Sequence, residues 1–271
     1  MFPFLNDLLD IEVNKTPPDG KFLLISESQN DGSFLLHHFL SFYLKGGCSV
    51  CFIALVQSST HYNCVAQKLG VNLTSSIQKG QLTFIEGLKY AAQCMNIESS
   101  AKMPSNRQSN PYHGLTLRDP KFSLKPLYEK ISEEISKFQN DLSFLLLIDD
   151  VSVFLSLGVS AIDVQDFVHY CQVAACTKQK AGCLVTLVHA DHEQGDSEEE
   201  LLERQLIYKC DLQLHVKGLS SGHCREVHGQ LEIMDHNAAM LSGRPSRKVV
   251  QYKIMDKNVT FFAPGNSASV L

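Results

Sequence analysis

The sequence predicts an α/β fold: a mostly parallel central sheet, helices on both faces, and antiparallel strands at the C-terminal end. Three observations predict it. The runs "CSVCFIALV" and "FLLLI" are continuously apolar, as strands buried on both faces are. Segments with helical periodicity alternate with such runs as far as His189. After the helix that follows, short strands succeed one another with no helix between them, which implies antiparallel pairing.

The elements follow in order. Leu23–Ser26 is a first short strand. A helix runs from Gly32 to Leu44, with Asn30, Asp31 or Ser33 as N-cap and Gly46-Gly47 as its stop. "CSVCFIALV" is the second strand. In "SSTHYNCVAQKLG", Ser58 or Ser59 caps a helix, Tyr62, Val65, Ala66 and Leu69 share one face, and Gly70 ends it. Leu82–Ile85 is the third strand. Residues 96–120 lose all periodicity and carry three prolines, so they read as a long, mobile surface insertion. Leu124, Leu127, Tyr128, Ile131, Ile135 and Phe138 recur at helical spacing. Phe144–Ile148 is the most apolar strand and is closed by Asp149-Asp150. Val164, Phe167, Val168, Cys171 and Ala175 mark another helix, and Cys183–His189 the next strand. The acidic "DHEQGDSEEELLER" leads into a helix. Strands at 212–216, 230–234, 249–254 and 259–262 complete the chain, the last two joined by the turn "MDKN".

At 271 residues with no internal repeat, residues 1–271 read as a single domain. Apolar residues make up 44% and charged residues 20%, ordinary for a folded domain. The net charge of −5 excludes a chain that binds nucleic acid through its overall charge; a local basic patch would be needed. No apolar run approaches the roughly 20 residues of a spanning helix, so no membrane role is expected. The N-terminus has Asp7 and Asp10 and no early Lys or Arg, unlike a targeting leader. Nine cysteines, mostly in apolar runs, suit buried thiols in the cytosol or nucleus. The single C-x-x-C, Cys48–Cys51, has no second pair and reads as core thiols rather than a zinc or redox site.

Strand, tight loop and helix at 21–45 form the frame on which nucleotide-binding proteins carry a phosphate loop, G-x-x-x-x-G-K-[ST]. Aligned on Gly32, the eight residues read "ESQNDGSF". Glu27 stands for the first glycine, Ser33 for the lysine and Phe34 for the Mg²⁺-binding hydroxyl; only Gly32 survives. A carboxylate about 4 Å from a phosphate charge repels it by roughly 4 kcal/mol at an effective dielectric near 20. A helix N-terminus, worth about 0.3–1 kcal/mol, does not offset that. "FLLLIDD" keeps the form of a Walker B strand, with Asp149 and Asp150 as a vestigial Mg²⁺ site or as caps of the following turn. Glu86 falls where such ATPases hold a water-activating carboxylate, or is a surface residue. No G-x-G-x-x-G or G-x-S-x-G is present. "HADH" (His189, Asp191, His192) and "HCREVH" (His223–His228) are too sparse for metal sites and read as loop residues. "SGRPSRKVV" sets Arg244, Arg247 and Lys248 in a loop between antiparallel strands, a candidate contact for nucleic-acid phosphates; Arg107, Arg118 and Lys121 are weaker candidates.

The segments "DGSFLLHHFLSFYLK", "VCFIALVQS", "LSLG", "FVHYC", "CREVHGQL" and "YKIMDKNVTFFAPG" closely resemble the family of sixth subunits of the Elongator complex. The resemblance covers nearly the whole chain and is weakest around residues 94–117. It implies a RecA-like fold without a working phosphate loop, no catalytic residue, no cofactor and no metal in this chain. It implies assembly with the fourth and fifth Elongator subunits into a hetero-hexameric ring, contact with the remaining subunits, and tRNA binding by the ring in support of wobble-uridine modification. An alternative is a weak ATPase whose divergent site is shared between Asp149 and a neighbouring subunit. A third is a RecA-like mediator acting on DNA.

Overall fold

The computed structural model describes residues 2–9, 11, 18, 20–90, 123–138, 143–176, 182–189, 197–219, 222, 224–237 and 246–264. Its strands are β1 (Phe22–Ser28), β2 (Ser49–Ala54), β3 (Leu82–Glu86), β4 (Phe144–Asp150), β5 (Gly182–His189), β6 (Leu212–Lys217), β7 (Gly229–Asp235), β8 (Ser246–Ile254) and β9 (Val259–Phe262). They form one sheet in the order β3-β2-β4-β5-β1-β6-β7-β8-β9. Every pairing from β3 across to β6 is parallel, and β6 to β9 are antiparallel. This is the expected mixed α/β, RecA-like architecture.

Parallel strands need helical crossovers, and these cover both faces. The helices are α1 (Pro3–Leu8), α2 (Ser33–Lys45), α3 (Ser59–Lys68), α4 (Leu73–Gln78), α5 (Lys125–Ser136), α6 (Val153–Ser156), α7 (Ala161–Ala175) and α8 (Glu198–Lys209). Because side chains alternate along a strand, β4 feeds two cores. Leu145 and Leu147 pack with α2, α3 and the C-terminal strands; Phe144, Leu146 and Ile148 pack with α5, α7 and α8. All five are at most 1% exposed, and at about 1.5–3 kcal/mol for each side chain removed from water they anchor the sheet.

Most elements lie where the sequence places them. Ser58 caps α3 by accepting from the His61 amide at 3.3 Å, and Gly47, with φ +78°, turns the chain after α2. The turn at 255–258 is closed by the Met255 amide donating to the Asn258 carbonyl at 2.8 Å. Three short helices, α1, α4 and α6, are additional. The expected insertion at 96–120 lies outside the described residues. No helix among the described residues is long and apolar enough to cross a membrane.

Candidate functional site

The carboxyl ends of parallel strands open on one edge of a sheet, the usual location for ligands in α/β folds. Here β1, β2 and β4 bring Glu27, Val56 and Asp149 to a shared cleft of about 280 Å³. The loop from β1 to α2 is held rigidly. Asn30 Nδ2 donates to the His228 carbonyl at 2.7 Å and to the Tyr252 hydroxyl oxygen at 3.2 Å. That close approach requires glycine at 229, where a Cβ would fall 2.6 Å from the Tyr252 hydroxyl and 2.8 Å from the Lys217 carbonyl.

At the start of α2 the positions a phosphate would take are filled by the chain itself. The Gly32 amide donates to Glu27 Oε2 at 2.5 Å, and the Ser33 amide donates to Asp31 Oδ1 at 2.7 Å. The helix begins after Gly32, and none of the three expected residues caps it from the N-cap position. The orphan amides of a helix N-terminus need an acceptor, and a Glu27 carboxyl oxygen supplies one. Burial pushes its carboxyl up to about 7; the Gly32 amide and His189 oppose the shift, while Asp31 and Asp150 add to it. His189 Nδ1 lies 3.3 Å from Glu27 Oε1. Gly32 is retained by packing: a Cβ there would lie 3.1 Å from Glu27 Oε2 and 3.2 Å from Ile25 Cγ2.

Phe34 turns away from the cleft. It is 6% exposed and packs on Tyr252 at 4.9 Å between ring centroids and on Phe2 and Phe261 at 6.4 Å. The residue in the Mg²⁺-hydroxyl position therefore joins α2 to α1 and the C-terminal hairpin.

Asp149 is likewise consumed. It is 1% exposed. Its Oδ1 accepts from the amides of Leu55 and Asp150, both at 2.7 Å. Its Oδ2 accepts from the Val56 amide at 3.0 Å and the Tyr62 hydroxyl at 2.7 Å. Four donors satisfy the carboxylate and tie β4 to β2 and α3, so Asp149 is a clamp rather than a turn cap. Asp150 does cap the next turn, its Oδ1 accepting from the Ser152 amide at 2.9 Å. Burial raises the Asp150 carboxyl, against the opposing bond from Ser152.

The cleft is lined by Glu27, Asp31, Asp149 and Asp150, with His37 and His61 and no Lys or Arg among the described lining residues. Burial, aided by His61, holds the His37 imidazole down at about 4, so it is neutral at physiological pH. A triphosphate would meet carboxylates and no fixed cation.

The remaining candidates separate from this cleft. Glu86 ends the edge strand β3, four strand positions from β1, about 19 Å at the usual inter-strand spacing. It pairs with Lys89 at 3.3 Å in the open. Of "HADH", His189 faces Glu27, while Asp191 and His192 lie outside the described residues. In the "HCREVH" segment, Glu226 pairs with Lys253 at 2.5 Å and His228 Nδ1 accepts from the Ile254 amide at 3.1 Å; His223 is outside the described residues. Among the described residues no group of three His, Cys, Asp or Glu side chains could hold a metal ion. Cys51 is buried, which pushes its thiol up to about 12.

The expected basic loop needs correction. Arg247 and Lys248 are inside β8, which begins at Ser246; Arg244, Arg107, Arg118 and Lys121 lie outside the described residues. Arg247 pairs with Glu232, which also meets Lys217 at 3.2 Å. Burial raises the Glu232 carboxyl, but the two cations outweigh it and leave it below its ordinary range. Lys248 Nζ donates to the Leu8 carbonyl at 2.8 Å, at the end of α1. Both basic residues thus have structural partners. Tyr62, Asn30 and His37 were not legible as site residues. Tyr62 lies on the buried face of α3 and His37 on α2, which is buried from Phe34 to Leu44; there the pattern shows burial and not what the polar atom meets.

The family model for Elongation complex protein 6 matches residues 2–256. The chain is similar to the Elongator complex protein 6 of Xenopus tropicalis, 47% identical, and of Homo sapiens, 43% identical, with 100% of each chain covered in both comparisons. It is also similar to the Dictyostelium discoideum protein of that name, 25% identical over 97% of this chain and 95% of the other.

Proposed function

The chain belongs to the Elongator complex protein 6 family and is a subunit of that complex, and we propose that it serves there as a non-catalytic subunit that retains nucleotide-ATPase architecture for assembly alone. It packs with the fourth and fifth Elongator subunits in a hetero-hexameric RecA-like ring that binds tRNA and supports wobble-uridine modification, in the cytosol or nucleus.

One observation carries the non-catalytic part of this reading: the Glu27 carboxylate on the Gly32 amide at 2.5 Å. An ATPase needs those amides for phosphate, a lysine across the β and γ groups, and an open carboxylate for Mg²⁺. Here the amide is occupied by a side chain of the same protein, the lysine position is Ser33, and Asp149 has no oxygen to spare. What remains is a rigid strand–loop–helix unit braced by Asn30, Phe34 and Asp149. Such a unit can present a fixed edge to neighbouring subunits without nucleotide.

Native mass spectrometry of the chain alone and with the fourth and fifth subunits tests the reading. A six-membered assembly with two copies of this chain, formed without ATP, is expected. Failure to join the other Elongator subunits, or assembly only with hydrolysable nucleotide, contradicts it.

A further inference from the structure

The sheet has two edge strands, β3 and β9, and they differ. β9 is four residues long and is followed by Ala263 and Pro264; a short edge strand with a proline close by resists further pairing. β3, Leu-Thr-Phe-Ile-Glu, is rich in β-branched and aromatic residues and has no proline and no lysine. Its register with β2 runs unbroken, so no bulge twists it away. Glu86, at its end, is the one charged residue within it.

In a parallel ladder the amide and carbonyl of one residue point to the same side, and successive residues alternate. The Val50 amide donates to the Gln81 carbonyl at 2.8 Å, and Val50, Phe52 and Ala54 stand opposite Leu82, Phe84 and Glu86. Thr83 and Ile85 therefore bond to β2. The main-chain groups of Leu82 and Phe84 and the amide of Glu86 point away from the sheet, and they have no partner among the described residues. Apolar side chains flank this row on both faces. Ile77, 45% exposed, lies on α4, on the side of the sheet where Leu82 and Phe84 pack. Leu88, 37% exposed, lies between Gly87, which abuts Leu55 and Ile53, and Tyr90, which packs in the core of the other face. An extended chain turns successive side chains to opposite faces, so it would meet one apolar shelf on each. A helix spends its own main-chain groups internally and has none to offer such a row.

We infer that β3 receives an extended segment of an adjoining Elongator subunit as an additional strand of the sheet. The inference rests on the reading that the chain is an assembling subunit, and it names the surface that holds one neighbour. Main-chain hydrogen bonds to Leu82, Phe84 and Glu86 supply affinity, and the shelves at Ile77 and Leu88 select the side chains of the incoming strand.

The test is amide hydrogen exchange of the full chain, read residue by residue, alone and in the reconstituted assembly with the other Elongator subunits. In the isolated chain the Thr83 and Ile85 amides should exchange slowly and those of Phe84 and Glu86 quickly. Assembly is expected to slow Phe84 and Glu86 about tenfold or more. Two variants separate strand pairing from simple covering of the edge. Glu86→Pro removes the outward amide at a position where an edge strand tolerates proline; Glu86→Ala keeps it. The proline variant is expected to bind the other subunits about tenfold more weakly than the alanine variant, with thermal unfolding of both measured first; if the proline variant is unfolded, the wild-type exchange decides alone. Unchanged exchange at Phe84 and Glu86 in an assembly that has formed, or equal affinity of two folded variants, overturns the inference and leaves the subunit reading intact. Slow exchange of both amides already in the isolated chain, with a dimer in sedimentation, also overturns it, since the edge is then paired with a second copy. Failure of the wild-type chain to associate with the other subunits overturns both.

Discussion

Replacing Glu27 with Gln should remove a pH-dependent loss of stability that the native carboxyl imposes. Gln keeps an oxygen for the Gly32 amide, so the loop geometry is retained and only the charge is lost. The Glu27 carboxyl titrates at about 7 in the fold against an ordinary 4.5. At about 1.4 kcal/mol per pKa unit, that gap corresponds to about 3 kcal/mol. The sign follows from proton binding. Below 4.5 the group is protonated in folded and unfolded chains alike, and burial carries no charge penalty. Between 4.5 and about 7 the unfolded chain ionises first, so it binds fewer protons than the native state and stability falls as pH rises. Above about 7 the full penalty is present. E27Q should therefore equal wild type near pH 4.5 and be more stable at pH 8, by at least about 1 kcal/mol after allowance for solvent around a partly exposed group. Urea unfolding at several pH values between 5 and 8 reads this directly. Parallel profiles for the two proteins would refute the reasoning: Glu27 would then be held as an ion at no cost, and burial would not set its titration.

Other substitutions test the remaining supports of the cleft. Asp149→Ala leaves two or more buried donors unpaired and should lower unfolding free energy by about 3–5 kcal/mol; Tyr62→Phe removes one donor and should cost about 1 kcal/mol, both read by urea unfolding. Arg247→Ala leaves the nearly buried Glu232 with Lys217 alone and should cost about 1–2 kcal/mol. The same measurement on an exposed, unpaired arginine would show almost no change, so a null result returns Arg247 to the role of a free surface charge. Ser33→Lys should not create Mg-ATP binding in a fluorescent-nucleotide assay, because Glu27 still occupies the Gly32 amide and Phe34 still faces the core.

The sequence was most informative where burial alone sets the structure. Phe144–Ile148 and, apart from Thr186, Cys183–Val188 are apolar because both faces of these strands are covered, and their pattern needs no knowledge of neighbours. What the phosphate loop had lost was equally legible, since Glu27, Ser33 and Phe34 are chemically wrong for phosphate whatever their surroundings. What replaced it was not. Tyr62 and Asp149 are 87 residues apart, and Asn30 and His228 are 198 apart; only the fold brings them within bonding distance. The six-residue α1 has no periodicity to detect and is held by aromatic contacts such as Phe4 on Phe261 at 6.1 Å. β8 begins three residues earlier than its apolar pattern because Arg247 and Lys248 are long enough to reach partners while their backbones stay in the sheet.

The most direct test of the filled cleft is calorimetric titration of the isolated chain with Mg-ATP. A cleft whose amide is taken by Glu27 and whose Asp149 carries four donors should show no binding tighter than about 100 µM, the affinity equivalent to about 5.5 kcal/mol. Saturable binding well below that value, lost in Asp149→Asn, would contradict it, because nucleotide would then have displaced the side chains that fill the site.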